Sequence, residues 1–299
     1  MKKLNVQDEI SKNKLKSITL MLVVFLSLIF IVYIIGMFYD PASANFFVII
    51  ALIFSLTFTV VSYYNSDKIV LASVKARPAT KKEHAYLVNV VEELALAAGI
   101  PTPRIYVIDS QEINAFATGR DPGHGVICVT TGMMKILNRS ELEGVIAHEM
   151  SHIKNFDIRF ATLVAVLVGM IVIIADIFGR SLWYSGSKNR DSDDRGNGIL
   201  LIVGLIFAIF APIFVKLIQL AISRKREYLA DSSGSFLTRY PEGLASALEK
   251  IKKYNHEGLK VNRAVAPLFI VNPFSSKNIS VALSTHPPIE DRIKRLRSM

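Results

Sequence analysis

The sequence predicts an α-helical membrane protein, with about four transmembrane helices, that carries a mainly α (α+β) domain with a small β-sheet. Three observations lead there. Hydrophobic residues make up 51% of the 299 positions. Many of them stand in uninterrupted runs long enough for a helix to cross a hydrocarbon core of about 30 Å. The segments between the runs have mixed composition, helical periodicity and two short β-branched stretches.

Along the chain, residues 1–66 read as a basic tail and a transmembrane hairpin, with uncharged spans over about 18–38 and 46–64 joined by a linker containing Asp40 and Pro41. Tyr63, Tyr64 and Lys68 resemble an interfacial anchor at the end of the second span. Residues 67–158 form the first part of a globular domain. Lys81–Gly99 has a helical repeat stopped by glycine, Arg104–Ile108 and Gly125–Thr130 are strand candidates that can pair, and a further helix opens near Asn138 or Ser140. A second hairpin follows over 159–223, with spans over about 160–178 and 198–222. Residues 224–299 return to mixed composition and complete the domain with helical patterns through Leu229 and Phe236, over Pro241–Tyr254 and over Pro288–Leu296.

The formal charge of +10 does not indicate nucleic acid, because Lys12, Lys14, Lys16 and the Arg224–Arg226 cluster flank apolar runs and no aromatic platform accompanies them. Anionic lipid headgroups and topology account for them. Four crossings place all the basic flanks on the cytoplasmic side, although the loop 180–195, with four basic and three acidic residues, weakens that bias. The single cysteine, Cys128, excludes an internal disulfide and reads as core packing.

The chemistry concentrates in His148, Glu149, Met150, Ser151 and His152, an HExxH pattern in a helical, apolar context. Side chains at i and i+4 share a helix face, so both imidazoles can reach one Zn2+, while Glu149 points to a neighbouring direction as a general base for water. Two histidines do not complete a catalytic zinc site, which keeps three protein ligands. Glu227 is the candidate third ligand and Asp231, one helical turn later, the candidate partner for the other ring nitrogen of a ligand histidine, with His148 the expected one. The topology agrees with this choice: His152 precedes the second hairpin and Glu227 follows it, so two crossings return the third ligand to the same membrane face.

With HEMSH at 148–152, EYLAD at 227–231, STHPP at 284–288 and two hydrophobic pairs, nearly the whole chain resembles the M48 family of zinc metallopeptidases, in its membrane-bound bacterial heat-shock branch. The resemblance implies a gluzincin-type protease domain, one zinc per subunit held by His148, His152 and Glu227, and cleavage of polypeptides, membrane proteins among them, in quality control under stress. It also implies an oxyanion-steadying role for His286 and a substrate-facing stretch at Asn114, Ala115 and Phe116, preceding an edge strand along which an extended peptide can pair. A glycine-ended loop is the plainer reading of that stretch, and a helix-entry residue the plainer reading of His286. Two alternatives for the whole stand beside this: a CAAX-type prenyl-protein protease, which more spans would favour, and a non-catalytic zinc-binding membrane scaffold, which a fourth protein ligand would favour.

Overall fold

The computed structural model describes residues 6–39, 44–167, 223–254, 258–259, 261–262, 264–274 and 286–299. The chain begins with two long helices, α1 (Val6–Tyr39) and α2 (Ala44–Tyr64), followed by the short α3 (Ser66–Ser73). Among the described residues no single helix is long and apolar enough to cross a membrane, whereas one bent pair, Val48–Tyr64 with Ser66–Ser73 at 70°, passes the same test. The third predicted span is described only as far as residue 167, in a helix over 157–167 (α7); the rest of it and the whole fourth span lie outside the described residues.

Local signals set the helix ends in the domain. The Thr80 hydroxyl accepts from the Glu83 amide to open α4 (Lys81–Ala98), and Gly99, at φ 69, closes it in the left-handed conformation that glycine adopts without steric cost. Asn138 opens α6 (Arg139–Lys154) with a capping box: its side chain accepts from the Glu141 amide while the Glu141 carboxylate accepts from the Asn138 amide. Glu141 also receives Ser246 Oγ at 2.7 Å and Lys250 Nζ at 2.7 Å, so the cap doubles as a tie to α9 (Pro241–Tyr254).

The sheet has strand order β1-β2-β4-β3, from β1 (Arg77–Pro78), β2 (Arg104–Ile108), β3 (Ala115–Thr118) and β4 (Val126–Thr130). The two strands expected from β-branched residues do pair, in parallel, with Arg104 opposite Val126. Strand β3 lies antiparallel to β4 at one edge, so the stretch expected to precede an edge strand supplies that strand itself. Its edge is partly covered, since Ile270 N donates to Ala115 O at 2.9 Å and Phe116 bridges Phe269. Short α5 (Thr131–Ile136) then leads to α6. The architecture is mostly helical with a small mixed sheet.

The main core packs α4, α6 and α9 against the sheet through residues such as Leu87, Val91, Ile127, Val145, Ile146 and Leu248, all essentially inaccessible. Burial at this level is the dominant stabilising term, roughly 1.5–3 kcal/mol for each large aliphatic side chain. Cys128 belongs to a second cluster with Val70, Phe116 and Phe269, and burial pushes its thiol pKa up, as expected of a packing residue. Leu20 of α1 joins a third cluster with Phe160, Leu163 and Val164 of α7, fastening the N-terminal hairpin to the domain.

Candidate metal centre

Helix α6 carries His148, Glu149 and His152, and α8 (Arg224–Thr238) carries Glu227 and Asp231. These two helices touch backbone to backbone. A Cβ placed on Gly234 of α8 would stand 2.9 Å from His148 N, so a residue without a side chain is what lets the carboxylates of α8 reach the histidines of α6.

His148 Nε2 and His152 Nε2 lie 3.2 Å apart with their rings at 88°. Two nitrogens held about 2.0–2.1 Å from one tetrahedral zinc sit roughly 3.3 Å apart, so the pair is already at ligand spacing. Glu227 Oε1 is 3.6 Å from His152 Nε2, and Oε2 is 3.8 Å from His148 Nε2. One donor atom from each of the three residues falls within 4.8 Å of the others. Among the described residues, Glu149 Oε1 and Glu227 Oε2 are buried and accept no hydrogen bond of normal geometry, a costly state that a cation or water would relieve. The donor set, two imidazoles and a carboxylate, fits zinc.

The other ring nitrogens are pinned. His148 Nδ1 is 2.9 Å from Asp231 Oδ1, the partner expected from the sequence, and His152 Nδ1 is 3.0 Å from Asp157 Oδ2. Each carboxylate favours a proton on Nδ1 and so turns the Nε2 lone pair towards the shared position. Asp157 had no signal in the spacing. It follows the end of α6, where Phe156 takes φ 58, a conformation rare for a bulky residue that folds the chain back under His152.

Arg292 is the second residue the sequence did not disclose. It lies in α10 (Ile289–Leu296), a charged and amphipathic segment that reads as a surface helix, yet it is almost fully buried. Its guanidinium forks onto Asp231, with Nε to Oδ2 at 2.9 Å and Nη2 to Oδ1 at 2.6 Å, donates to Ile270 O at 2.9 Å, and lies 3.7 Å from Glu227 Oε2. Arg292 neutralises the carboxylates that α8 brings beneath the histidines.

Burial and these charges set the protonation states. Glu149 is pushed up to about 7 by burial, with the Glu227 charge adding to the rise while His152, Arg292 and the Ala117 amide oppose it. Burial alone would raise Glu227 too, but His286, His152 and Arg292 hold its carboxyl well below the usual range. Burial disfavours a charged His152, yet Asp157 and Glu227 outweigh it and raise the free ring to about 9.

The remaining expected residues are distributed unevenly. His286 is buried beside the cluster, with Nδ1 3.5 Å from Glu227 Oε2. Asn114, Ala115 and Phe116 are buried; Asn114 donates to Val271 O at 2.9 Å, and Ala115 and Phe116 pair with 269–270. Of β3, Ala117 is the residue that lines the small cleft over Glu149, His152, Asp157, Arg226 and Glu227, together with Pro267 and Leu268.

A family model described as Peptidase family M48 matches residues 81–299, which takes in every residue of this site and leaves out the N-terminal hairpin, α3 and β1. The chain belongs to peptidase family M48. Curated relatives match most or all of the chain. The protease HtpX homolog of Dictyoglomus turgidum is 48% identical over 299 residues, covering 100% of this chain and 96% of the relative. That of Thermoanaerobacter pseudethanolicus is 52% identical over 254 residues, 84% of each chain. A crystal structure of S. mikatae Ste24p aligns with a TM-score of 0.48 and 19% identity, over 97% of this chain and 66% of that one. As an M48 chain with this relationship, it is a membrane zinc metalloprotease.

Proposed function

We propose that the chain is an endopeptidase that hydrolyses peptide bonds of misfolded or damaged membrane proteins in stress-linked quality control, with one zinc per subunit on His148, His152 and Glu227. The observation that carries this reading is the convergence of those three donors beside a buried carboxylate, Glu149, poised near neutrality. When bound, zinc would supply Lewis-acid polarisation of a peptide carbonyl and a water whose pKa falls towards about 7. Glu149 takes a proton from the attacking water and returns it to the departing amine. Asp231 and Asp157 hold the ligand rings, and Arg292 favours the ionised forms of Asp231 and Glu227. His286, next to Glu227, is proposed to steady the oxyanion. Asn114, Ala115 and Phe116 are proposed to shape the edge along which an extended substrate lies, with Ala117 facing the cleft.

A multi-pass position in the cell membrane with the catalytic domain facing the cytoplasm is part of the same proposal. Its support is the outward row of apolar side chains on the hairpin, Leu22, Leu26 and Phe30 on α1 and Ile49, Ile53 and Leu56 on α2, all exposed as lipid contacts would be. The test is Glu149→Gln in the purified full-length protein. Zinc content should stay at wild-type level while cleavage of unfolded casein is lost, and a chelator should abolish wild-type cleavage. Cleavage retained by the variant would sink the assignment of the base.

A further inference from the structure

His152 lies near the end of α6, and what holds its ring is not the helix but the turn beyond it. Asn155 caps α6, Phe156 adopts φ 58, and Asp157 begins α7 with its carboxylate folded back onto His152 Nδ1. A left-handed phenylalanine persists only where its surroundings determine it. Those surroundings come from the far end of the sequence. Asn13 of α1 donates through Nδ2 to Asp157 Oδ1 at 2.6 Å and to Asn155 O at 3.3 Å, and its Oδ1 accepts from Arg226 Nη1 at 3.2 Å. The neighbouring Lys14 places Nζ 4.5 Å from the centre of the Phe156 ring, which Arg159 also approaches at 5.1 Å. Asn13 is only 1% exposed and stands about two turns into α1, five residues before Ile18.

We propose that Asn13 is a positioning residue of the metal centre, fixing His152 through Asp157 and registering Glu227 through Arg226, so that the N-terminal helix is a structural part of the active site. The inference rests on the reading of His152 and Glu227 as ligands. A carboxamide suits the place because it donates to a carboxylate and accepts from a guanidinium at once, which neither an ionised carboxylate nor an ammonium or guanidinium can do. Asp157 uses one oxygen for the histidine and the other for Asn13, so its orientation is set from both sides. Arg226 directly precedes Glu227, and its guanidinium also lies 3.7 Å from Asp157 Oδ1. One side chain thereby joins the segments that carry two ligands, across 144 and 213 residues of sequence.

The experiment uses full-length protein in detergent with Asn13→Ala, Asp157→Ala, the double variant, and Leu20→Ala as a control that loosens α1 elsewhere. Zinc affinity is measured by competition with a chromophoric chelator, ligand geometry by the visible absorption of the cobalt(II)-substituted protein, and kcat and KM on casein. Asp157→Ala should weaken zinc about 10- to 100-fold, the usual effect of removing a partner of a ligand histidine. Asn13→Ala should shift the cobalt bands, weaken zinc about tenfold and lower kcat with KM little changed. The double variant should lose less than the two single losses combined, because Asn13 acts in part through Asp157, with its contact to Arg226 accounting for any loss beyond that of Asp157→Ala. Leu20→Ala should lower the thermal midpoint and leave the cobalt bands in place. Wild-type cobalt bands and zinc affinity in Asn13→Ala, or losses that add fully in the double variant, would overturn the proposal. His152→Ala separates the two levels: if it binds zinc as wild type does, the ligand reading has failed, whereas loss of zinc there with an inert Asn13→Ala defeats only the role of Asn13.

Discussion

Glu149 and Arg292 show how burial decides chemistry at single residues. A carboxyl removed from water resists ionisation, and Glu149 is pushed up to about 7. The base must be ionised to act, so kcat/KM should fall as pH drops through an acid limb. A bound cation favours the carboxylate, which places that limb at or below about pH 7. An acid limb well above neutrality in a casein cleavage profile would show that another group governs it. Arg292 is the opposite case, a buried charge whose work is to compensate others. Arg292→Leu leaves Asp231 buried without its guanidinium, and loss of one partner of such a pair typically costs about 3–5 kcal/mol. Denaturant unfolding should register that loss, and Arg292→Lys should recover only part of it, since an ammonium cannot fork onto both oxygens of Asp231.

At the level of elements, the site depends on how closely α6 and α8 approach and on how firmly α6 begins. Gly234→Ala would drive a methyl group into the backbone at His148, where the nearest atom would stand 2.9 Å away. The helices must part, at a cost of about 1–3 kcal/mol for an overpacked contact. Glu227 moves away with α8, so zinc affinity should fall along with stability. A Gly234→Ala protein with unchanged chelator competition would show that the approach is not what sets the site. At the other end of α6, burial opposes ionisation of Glu141, but Lys250, Ser246 and the Asn138 amide outweigh it and hold its carboxyl below the usual range. A depressed folded value contributes stability that is present at neutral pH and lost as pH falls through that value. Glu141→Ala should therefore cost about 1–2 kcal/mol at neutral pH, as loss of a cap and a hydrogen bond does, and the difference from wild type should shrink in acid.

For the whole molecule, the proposed topology puts the loop between the second pair of spans on the face opposite the catalytic domain. Cys128 is buried with its thiol pKa raised, so the native chain offers no reactive thiol and Ser187→Cys should introduce the one that labels. An impermeant maleimide should reach it from outside intact cells; labelling only after the membrane is opened would reverse or remove the crossings. The sequence alone determined what is local and periodic. The placing of His148, Glu149 and His152 on one helix follows from i, i+4 spacing, the limits of Lys81–Ala98 and Pro241–Tyr254 from their patterns and end signals, and the pairing strands from β-branched runs. Glu227 and Asp231 were legible because one turn of helix joins them in the same way. Tertiary structure alone decided what depends on distant chain meeting: the guanidinium of Arg292 beneath Asp231, the turn that sends Asp157 to His152, Asn13 holding that turn, and residues 269–271 lying on the edge of β3. None of these contacts has a period or a fixed spacing. A buried polar group must find a partner wherever packing brings one, and that meeting is a property of the folded chain rather than of any segment within it.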